Sequence, residues 1–283
     1  MALSRGDGAL VDWYWVAHGE IKVEWTADGQ TVRSRVRAAD LHVVAAGVCV
    51  SGRDRQFDLT SLCSAIAHKY RAMFSHEASS RGECAMRLMR EARVTICGVG
   101  ALGGNLAEHL ARSGWRSLRL VDHDRVADSN LACQPYSLGQ VGQPKVRALA
   151  ATLASTVGCT AQAVDARLTS NSARELLAGS AIVVDAMDNA QSRLAVRDAC
   201  RELRVPCLHL GLSHESYADL RFNAGYEIQD VRARPACAVP YSRSLILMLV
   251  GLAGEALIRW LETGLTEDRE ICLESLWEST RAA

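Results

Sequence analysis

RVTICGVGALGGNLAEHLAR, residues 93–112, carries the reading on which the rest depends. Arg93 to Cys97 is a short β-branched run that reads as a strand, and Leu102 to Arg112 has the composition of a helix. Between them stand Gly98, Gly100 and Gly103 in a G-x-G-x-x-G pattern. Glycines at a strand-to-helix turn let the backbone close tightly and leave amide donors able to face a phosphate. Alone, this indicates a nucleotide and no more. A second strand, LRLVD (118–122), comes next and ends in Asp122, the acidic residue expected roughly 20 residues after the loop to hold a ribose hydroxyl. An ordinary dinucleotide-binding dehydrogenase fits everything to this point.

Outward from this unit, strand and helix alternate. Pro144 to Val157 reads as a helix with Pro in its first turn, AIVVD (181–185) as a buried strand, Ala190 to Leu203 as a helix ended by Pro206, and CLHLG (207–211) as another strand. Such alternation predicts an α/β, doubly wound parallel sheet with helices on both faces. Leu245 to Gly254, continued through Trp260, is apolar almost all round and reads as a buried helix with Met248 in the core. Its apolar run is well short of the roughly 20 residues that span a bilayer.

Residues 10–51 differ: they hold β-rich stretches, with Asp28-Gly29 as a hairpin turn between two of them. Asp58 is a plausible cap for a helix over 59–74, with Leu62, Ile66, Tyr70 and Phe74 at helical spacing. The polar stretch Ser75 to Glu83 is taken as the boundary, giving a small N-terminal α+β module over 1–80 and a larger unit over 85–283. Trp13, Trp15 and Trp25 read as the small module's own core, with a partner-binding face as the other use of such residues.

Composition removes several classes. Over 283 residues, 32 Lys+Arg balance 32 Asp+Glu, so general attraction to nucleic acid or an anionic membrane is not expected. The ten cysteines contain no C-x-x-C pair, which predicts no structural zinc and no redox dithiol. MALSRGDGALVDW lacks the apolar core of a secretory signal, so reduced cysteines and a cytoplasmic location are expected.

Beyond Asp122 the chain departs from a dehydrogenase. Residues 121–145, VDHDRVADSNLACQPYSLGQVGQPK, place an Asn, a Gln and then Lys145 where a phosphate chain would leave the glycine loop. A lysine brings a mobile point charge to a polyanion. In VVDAMDN (183–189), Asp185 and Asp188 close a strand, and a carboxylate near phosphates is how Mg²⁺ is held. Lysine and magnesium carboxylate together suit a triphosphate that is being split. With these residues in place the chain resembles the ThiF/MoeB/HesA family, adenylating enzymes related to the ubiquitin-activating enzymes, over about Arg90 to Gly264.

The resemblance implies a Rossmann-like adenylation domain in which Gly98, Gly100 and Gly103 cradle phosphate and Asp122 holds the ribose. It implies nucleotide contacts from Asp124, Asn130 and Gln134, phosphate neutralisation by Lys145 and Mg²⁺ on Asp188, with Asn189 and Arg193 continuing that last motif. The implied reaction is attack of a carboxylate on the α-phosphate of ATP, giving an acyl adenylate and pyrophosphate. The implied substrate is the C-terminal Gly-Gly carboxylate of a ubiquitin-like or sulfur-carrier protein, or of a peptide, and the implied assembly is a homodimer.

Three departures stand out. Cys133 occupies the place of the family arginine; loss of one such charge-stabilising group costs about 3–4 kcal/mol, on the order of 10²–10³ in rate. Arg125 in the same loop is a candidate replacement, and Arg71 faintly matches an arginine that family dimers send across, with a solvated helix residue as its plainer reading. The zinc cysteine pairs are missing. Cys237, flanked by Arg232, Arg234 and Pro235, stands about where relatives carry a thioester- or disulfide-forming thiol; an unreactive loop cysteine is its other reading. His209 and His214 are read as structural histidines before substrate contacts, and Cys97, Cys200 and Cys207 as core. Two further functions stay open: a pseudo-enzyme scaffold that recognises a carrier, and adenylation of a small or tRNA-borne carboxylate. A nicotinamide-dependent oxidoreductase is the third.

Overall fold

The computed structural model describes residues 70, 72–213, 216–223 and 242–278 in full, and the backbone of strands between residues 2 and 57. The chain divides into two compact units, Met1–Ser79 and Ser80–Ala283. In the first, β1 (Ala2–Ser4), β2 (Leu10–Val16), β3 (Glu20–Ala27) and β4 (Gln30–Arg37) form an antiparallel meander. Ala27 pairs with Gln30, so the β3–β4 connection is the two residues Asp28 and Gly29. The ladder aligns Trp13 with Val23 and Trp25 with Val11. β5 (Leu41–Val44), β6 (Gly47–Val50) and β7 (Gln56–Phe57) make a second antiparallel sheet. Most of the helix expected over 59–74, Arg71 included, lies outside the described residues.

Helix α1 (Ser75–Glu91) takes in the polar stretch read as a connector. Its residues are adequate helix formers, and Ala85, Met86 and Met89 bury one side of its second half, while Gly82, at φ 82°, breaks it internally. Then come β8 (Arg93–Cys97), α2 (Ala101–Ser113), β9 (Ser117–Asp122), α3 (Lys145–Val157), β10 (Gln162–Asp165), α4 (Ala173–Leu177), β11 (Ile182–Asp185), α5 (Ala190–Leu203), β12 (Cys207–Leu212) and β13 (Tyr217–Phe222). The unit closes with α6 (Arg243–Thr263), β14 (Arg269–Cys272) and α7 (Ser275–Glu278).

Among the described residues, the strands order as β10-β9-β8-β11-β12-β13-β14, the first five parallel and the last two antiparallel. Strand order reverses between β8 and β11, which is where an open α/β sheet leaves a crevice beyond its carboxyl ends. Both strands are almost wholly buried, which is why RVTIC and IVVD read as continuous apolar runs. Against one face Val183, Val196, Leu177 and Cys207 pack with α4 and α5.

Helix α6 packs on α2 and β13 and buries eight residues, among them Leu245, Leu249 and Leu257. Among the described residues it alone is long and apolar enough to cross a membrane, and its buried stripe is that of a core helix. One expectation fails here: the helix is not buried all round, and Met248 is 38% exposed beside Leu247 at 45%. Among the described residues the helix buries one stripe, and its apolar composition exceeds what that stripe requires.

Candidate functional site

Gly98 leaves β8 at φ 82°, and its N–H donates to Val121 O at 2.9 Å, fastening the turn to β9. A β-carbon there would lie 2.8 Å from Ala186 O, and one at Gly103 would lie 1.9 Å from Gly98 O. A side chain at Gly98 would press on the turn that leaves β11, and one at Gly103 would push α2 off the end of β8. Gly100 is different: the nearest atom to a β-carbon is Gln134 Nε2 at 3.9 Å, so its surroundings are open. Gly100 caps α2 with no side-chain hydrogen bond, which leaves the helix's first amides and its positive dipole end available to an anion.

Asp122 ends β9 and is buried, with both carboxylate oxygens engaged. Oδ2 accepts from Val99 N at 2.8 Å and Oδ1 from Asp124 N at 2.9 Å. It thereby holds the glycine loop and the next turn, while each oxygen keeps a second lone pair. Tyr136 adds a clamp from the other side, its hydroxyl donating to Val99 O at 2.7 Å. Burial pushes that phenol well above its ordinary range. Lys145 opens α3; its side chain is 8% exposed and its Nζ lies 3.1 Å from Asp124 Oδ2, whose carboxylate is half-exposed. The ligand atoms of Asp122, His123 and Asp124 fall within 4.8 Å of one another, but two of these groups are already committed to backbone amides and to Lys145.

The connection between β9 and α3 folds on its own polar groups. Asn130 Oδ1 accepts from Ala127 N at 2.9 Å and closes a 3₁₀ turn. Gln134 is half-buried, and its Oε1 has no hydrogen-bond partner among the described residues. Cys133 is half-buried with its carbonyl accepting from Asn105 Nδ2 at 2.8 Å. Arg125 is exposed and donates to Gly142 O at 2.7 Å, so it braces the same connection. One residue here was not legible in advance: Arg243, at the head of α6, donates to Ala132 O at 3.2 Å and brings a guanidinium to the Cys133 loop. Its only sequence signal is its place behind the Ser242 cap of an apolar helix.

At the end of β11 the paired carboxylates separate. Asp185 is fully buried; its Oδ2 meets His209 Nδ1 at 2.9 Å and Arg193 Nη1 at 3.8 Å, and its Oδ1 accepts from Met187 N at 3.0 Å. Asp188 is exposed and accepts a 3.3 Å bond from Asn189 Nδ2, while Asn189 Oδ1 caps α5 through Ser192 N. His209 is therefore held structurally by Asp185. Cys97, Cys200 and Cys207 are core, and burial raises the Cys97 and Cys207 thiols far above their usual range. Cys237, His214, Arg232, Arg234 and Pro235 lie outside the described residues. The structure thus brings Gly98, Gly100, Gly103, Asp122, Asp124, Asn130, Gln134, Lys145 and Asp188 to the carboxyl edge of one sheet.

The molybdopterin-synthase adenylyltransferase of Salmonella typhimurium is 36% identical over 122 residues, 42% of this chain and 49% of that protein. The sulfur carrier protein ThiS adenylyltransferase of Bacillus subtilis is 36% identical over 134 residues, covering 45% of this chain and 39% of its own. This chain thus spans less than half the length of either relative. The Escherichia coli tRNA threonylcarbamoyladenosine dehydratase, solved in complex with ATP, shares the fold at a TM-score of 0.57 and 19% identity, over 75% of this chain and 97% of that one. The ThiF family pattern itself matches residues 74–259, which takes in every element from β8 to β13 and most of α6, and the chain belongs to the ThiF family.

Proposed function

We propose that this chain is an ATP-dependent adenylyltransferase acting on the C-terminal carboxylate of a small carrier protein or peptide. The observation that carries the reading is the meeting, at one sheet edge, of the uncapped N-terminus of α2 with Lys145 and Asp188. A dinucleotide site has use for the first alone. In this reading the α2 amides and Lys145 hold the phosphates, and Asp122, already fixed by two amides, offers its remaining lone pairs to the ribose. The unpartnered Gln134 Oε1 receives a donor from the nucleotide. Asp188 fits Mg²⁺: its carboxylate is exposed, accepts a single long bond and stands beside the phosphate end of the site. Bound there, the ion would supply charge neutralisation of the phosphates.

The carrier carboxylate attacks the α-phosphorus; a new P–O bond to the carboxylate forms as the bond to pyrophosphate breaks. The protein contributes positioning and charge. Arg243 stands in for the family arginine missing at Cys133, since its guanidinium reaches the same loop. Two relatives named for adenylating molybdopterin synthase and ThiS support a sulfur-carrier type of substrate. A Gly-Gly terminus, a homodimer and a transfer thiol at Cys237 complete the reading.

ATP–Mg²⁺ at 100 times its dissociation constant should stabilise the fold by about 2.7 kcal/mol, roughly 5–11 °C in a melt. Pyrophosphate exchange should then appear with a carrier ending in Gly-Gly. A melt that responds to NAD(H) and not to ATP–Mg²⁺ would sink the proposal. Adducts that survive Cys237→Ala unchanged would remove that thiol from it.

A further inference from the structure

At the amino edge of β12, away from the glycine loop, the last turns of α5 and the start of β12 line a half-open cleft of about 320 Å³. That volume is in the range of small-ligand pockets. Arg197 and Arg201 line it from one face of α5, at i, i+4 spacing, and Arg204, just past the end of the helix, joins them. Like charges at this spacing repel, so the arrangement works against α5 unless something offsets it. Arg197 has Asp198 at 2.8 Å. Among the described residues neither Arg201 nor Arg204 has an ion-pair partner, and no Asp or Glu lines the cavity. The carbonyl end of α5 opposes an anion with about half a charge, against the two guanidiniums that have no ion-pair partner among the described residues.

The remaining walls have a second character. Val205, Pro206 and Cys207 give an apolar floor, and the Asn223 carboxamide, whose Oδ1 accepts from Cys207 N at 3.0 Å, keeps its NH₂ as a donor. Arg204 takes the left-handed C-cap position of α5, φ 54°, where Gly or Asn is the usual choice. The chain thus spends a strained position on a guanidinium at this cavity. Planar forks of this kind match phosphate oxygens bidentately.

We propose that this cavity binds a small phosphate-bearing organic anion, its phosphate between Arg201 and Arg204 and its carbon skeleton on Val205 and Pro206. The cavity shares no lining residue with the carboxyl-edge site, its one link to that edge being His209, which bonds Asp185 at the end of β11, and the proposal does not depend on the activity assigned there.

The test is calorimetric titration of the full chain with glycerol 3-phosphate, with glycerol and inorganic phosphate as parallel arms. The double variant Arg201→Gln, Arg204→Asn removes both guanidiniums while Asn tolerates the left-handed cap. Glycerol 3-phosphate should bind more tightly than either parallel probe, and the double variant should weaken it about a hundredfold, two charge-assisted contacts being lost. Binding should persist in Lys145→Ala. If the double variant loses its native melt, Arg201→Glu, on the exposed side of α5, takes its place with the same expectation. No binding, equal binding by wild type and variant, binding by glycerol alone at equal strength, or loss in Lys145→Ala would each overturn the proposal.

Discussion

The two ends of the parallel sheet use one helix for opposite purposes. At the start of α5, Asn189 caps the helix and Asp188 extends into solvent beside the glycine loop. At its finish, Arg197, Arg201 and Arg204 crowd a cavity with one carboxylate among them as partner. The carboxyl edge is built from groups already engaged: Asp122 with two amides, Lys145 with Asp124, Asn130 with its own turn. Engaged groups hold a shape before any ligand arrives, which is what positioning a reaction requires. Unengaged guanidiniums hold charge and little shape, so binding at the amino edge should fall with ionic strength more steeply.

Lys145→Ala is the largest expected disturbance. Pyrophosphate exchange should drop by about 10²–10³, as for loss of one preorganised charge, and Asp188→Ala should do the same. Glycerol 3-phosphate titration of either variant should match wild type. If exchange and phosphate binding weaken together, the two edges are one site and the contrast between them collapses. Next in size is Asp185→Asn, because Asp185 touches both ends: His209, which it holds, lines the cavity, and Met187, whose amide it accepts, precedes Asp188. Breaking a buried charge pair costs about 3 kcal/mol, to be read as a lowered urea midpoint. A loss under about 1 kcal/mol would mean that the three groups re-pair without it.

How much of this was readable in advance differs between the ends, for physical reasons. Residues 93–122 were legible because β8 and α2 are buried on nearly every side and local sequence alone closes the glycine turn. Edge strands carry no such signal: Gln162–Asp165 is mostly exposed, so its sequence has no apolar period to betray it. Asp185 and Asp188 look alike at a strand end; His209 and Arg193, arriving from other elements, decide which one is buried. Cys133 was visible as a departure, whereas Arg243 reaches that loop from 111 residues along the chain. The arginine triplet at the end of α5 was present as a spacing, but a cavity needs β12 and Asn223 to become one.

Tyr136→Phe sharpens the carboxyl edge at smaller scale. It deletes one buried hydroxyl bond to Val99 O and leaves the Asp122 clamp in place, so about 1 kcal/mol should be lost in urea unfolding. ATP affinity should fall modestly, with glycerol 3-phosphate binding unmoved. Equal loss at both edges would again argue against separate sites.

The smallest effect tests a position that belongs to neither end. Glu255 on α6 is held below the usual carboxylate range by hydrogen bonds from Arg81, which outweigh its partial burial. A carboxylate whose pKa is lower folded than unfolded contributes stability above its unfolded value, about 4.3, and loses it as pH falls through the folded value. The side chain is half exposed, so solvent screening keeps the contribution under about 1 kcal/mol. Wild type should exceed Glu255→Gln slightly at pH 7, and the gap should close on acidification; a gap that widens there reverses the sign and rejects the assignment. Neither pyrophosphate exchange nor phosphate binding should notice the substitution. Should exchange respond, strain must travel along α6 to its first residue, Arg243, and through Ala132 into the Cys133 loop, which would tie the last helix to the carboxyl edge and leave the amino edge independent.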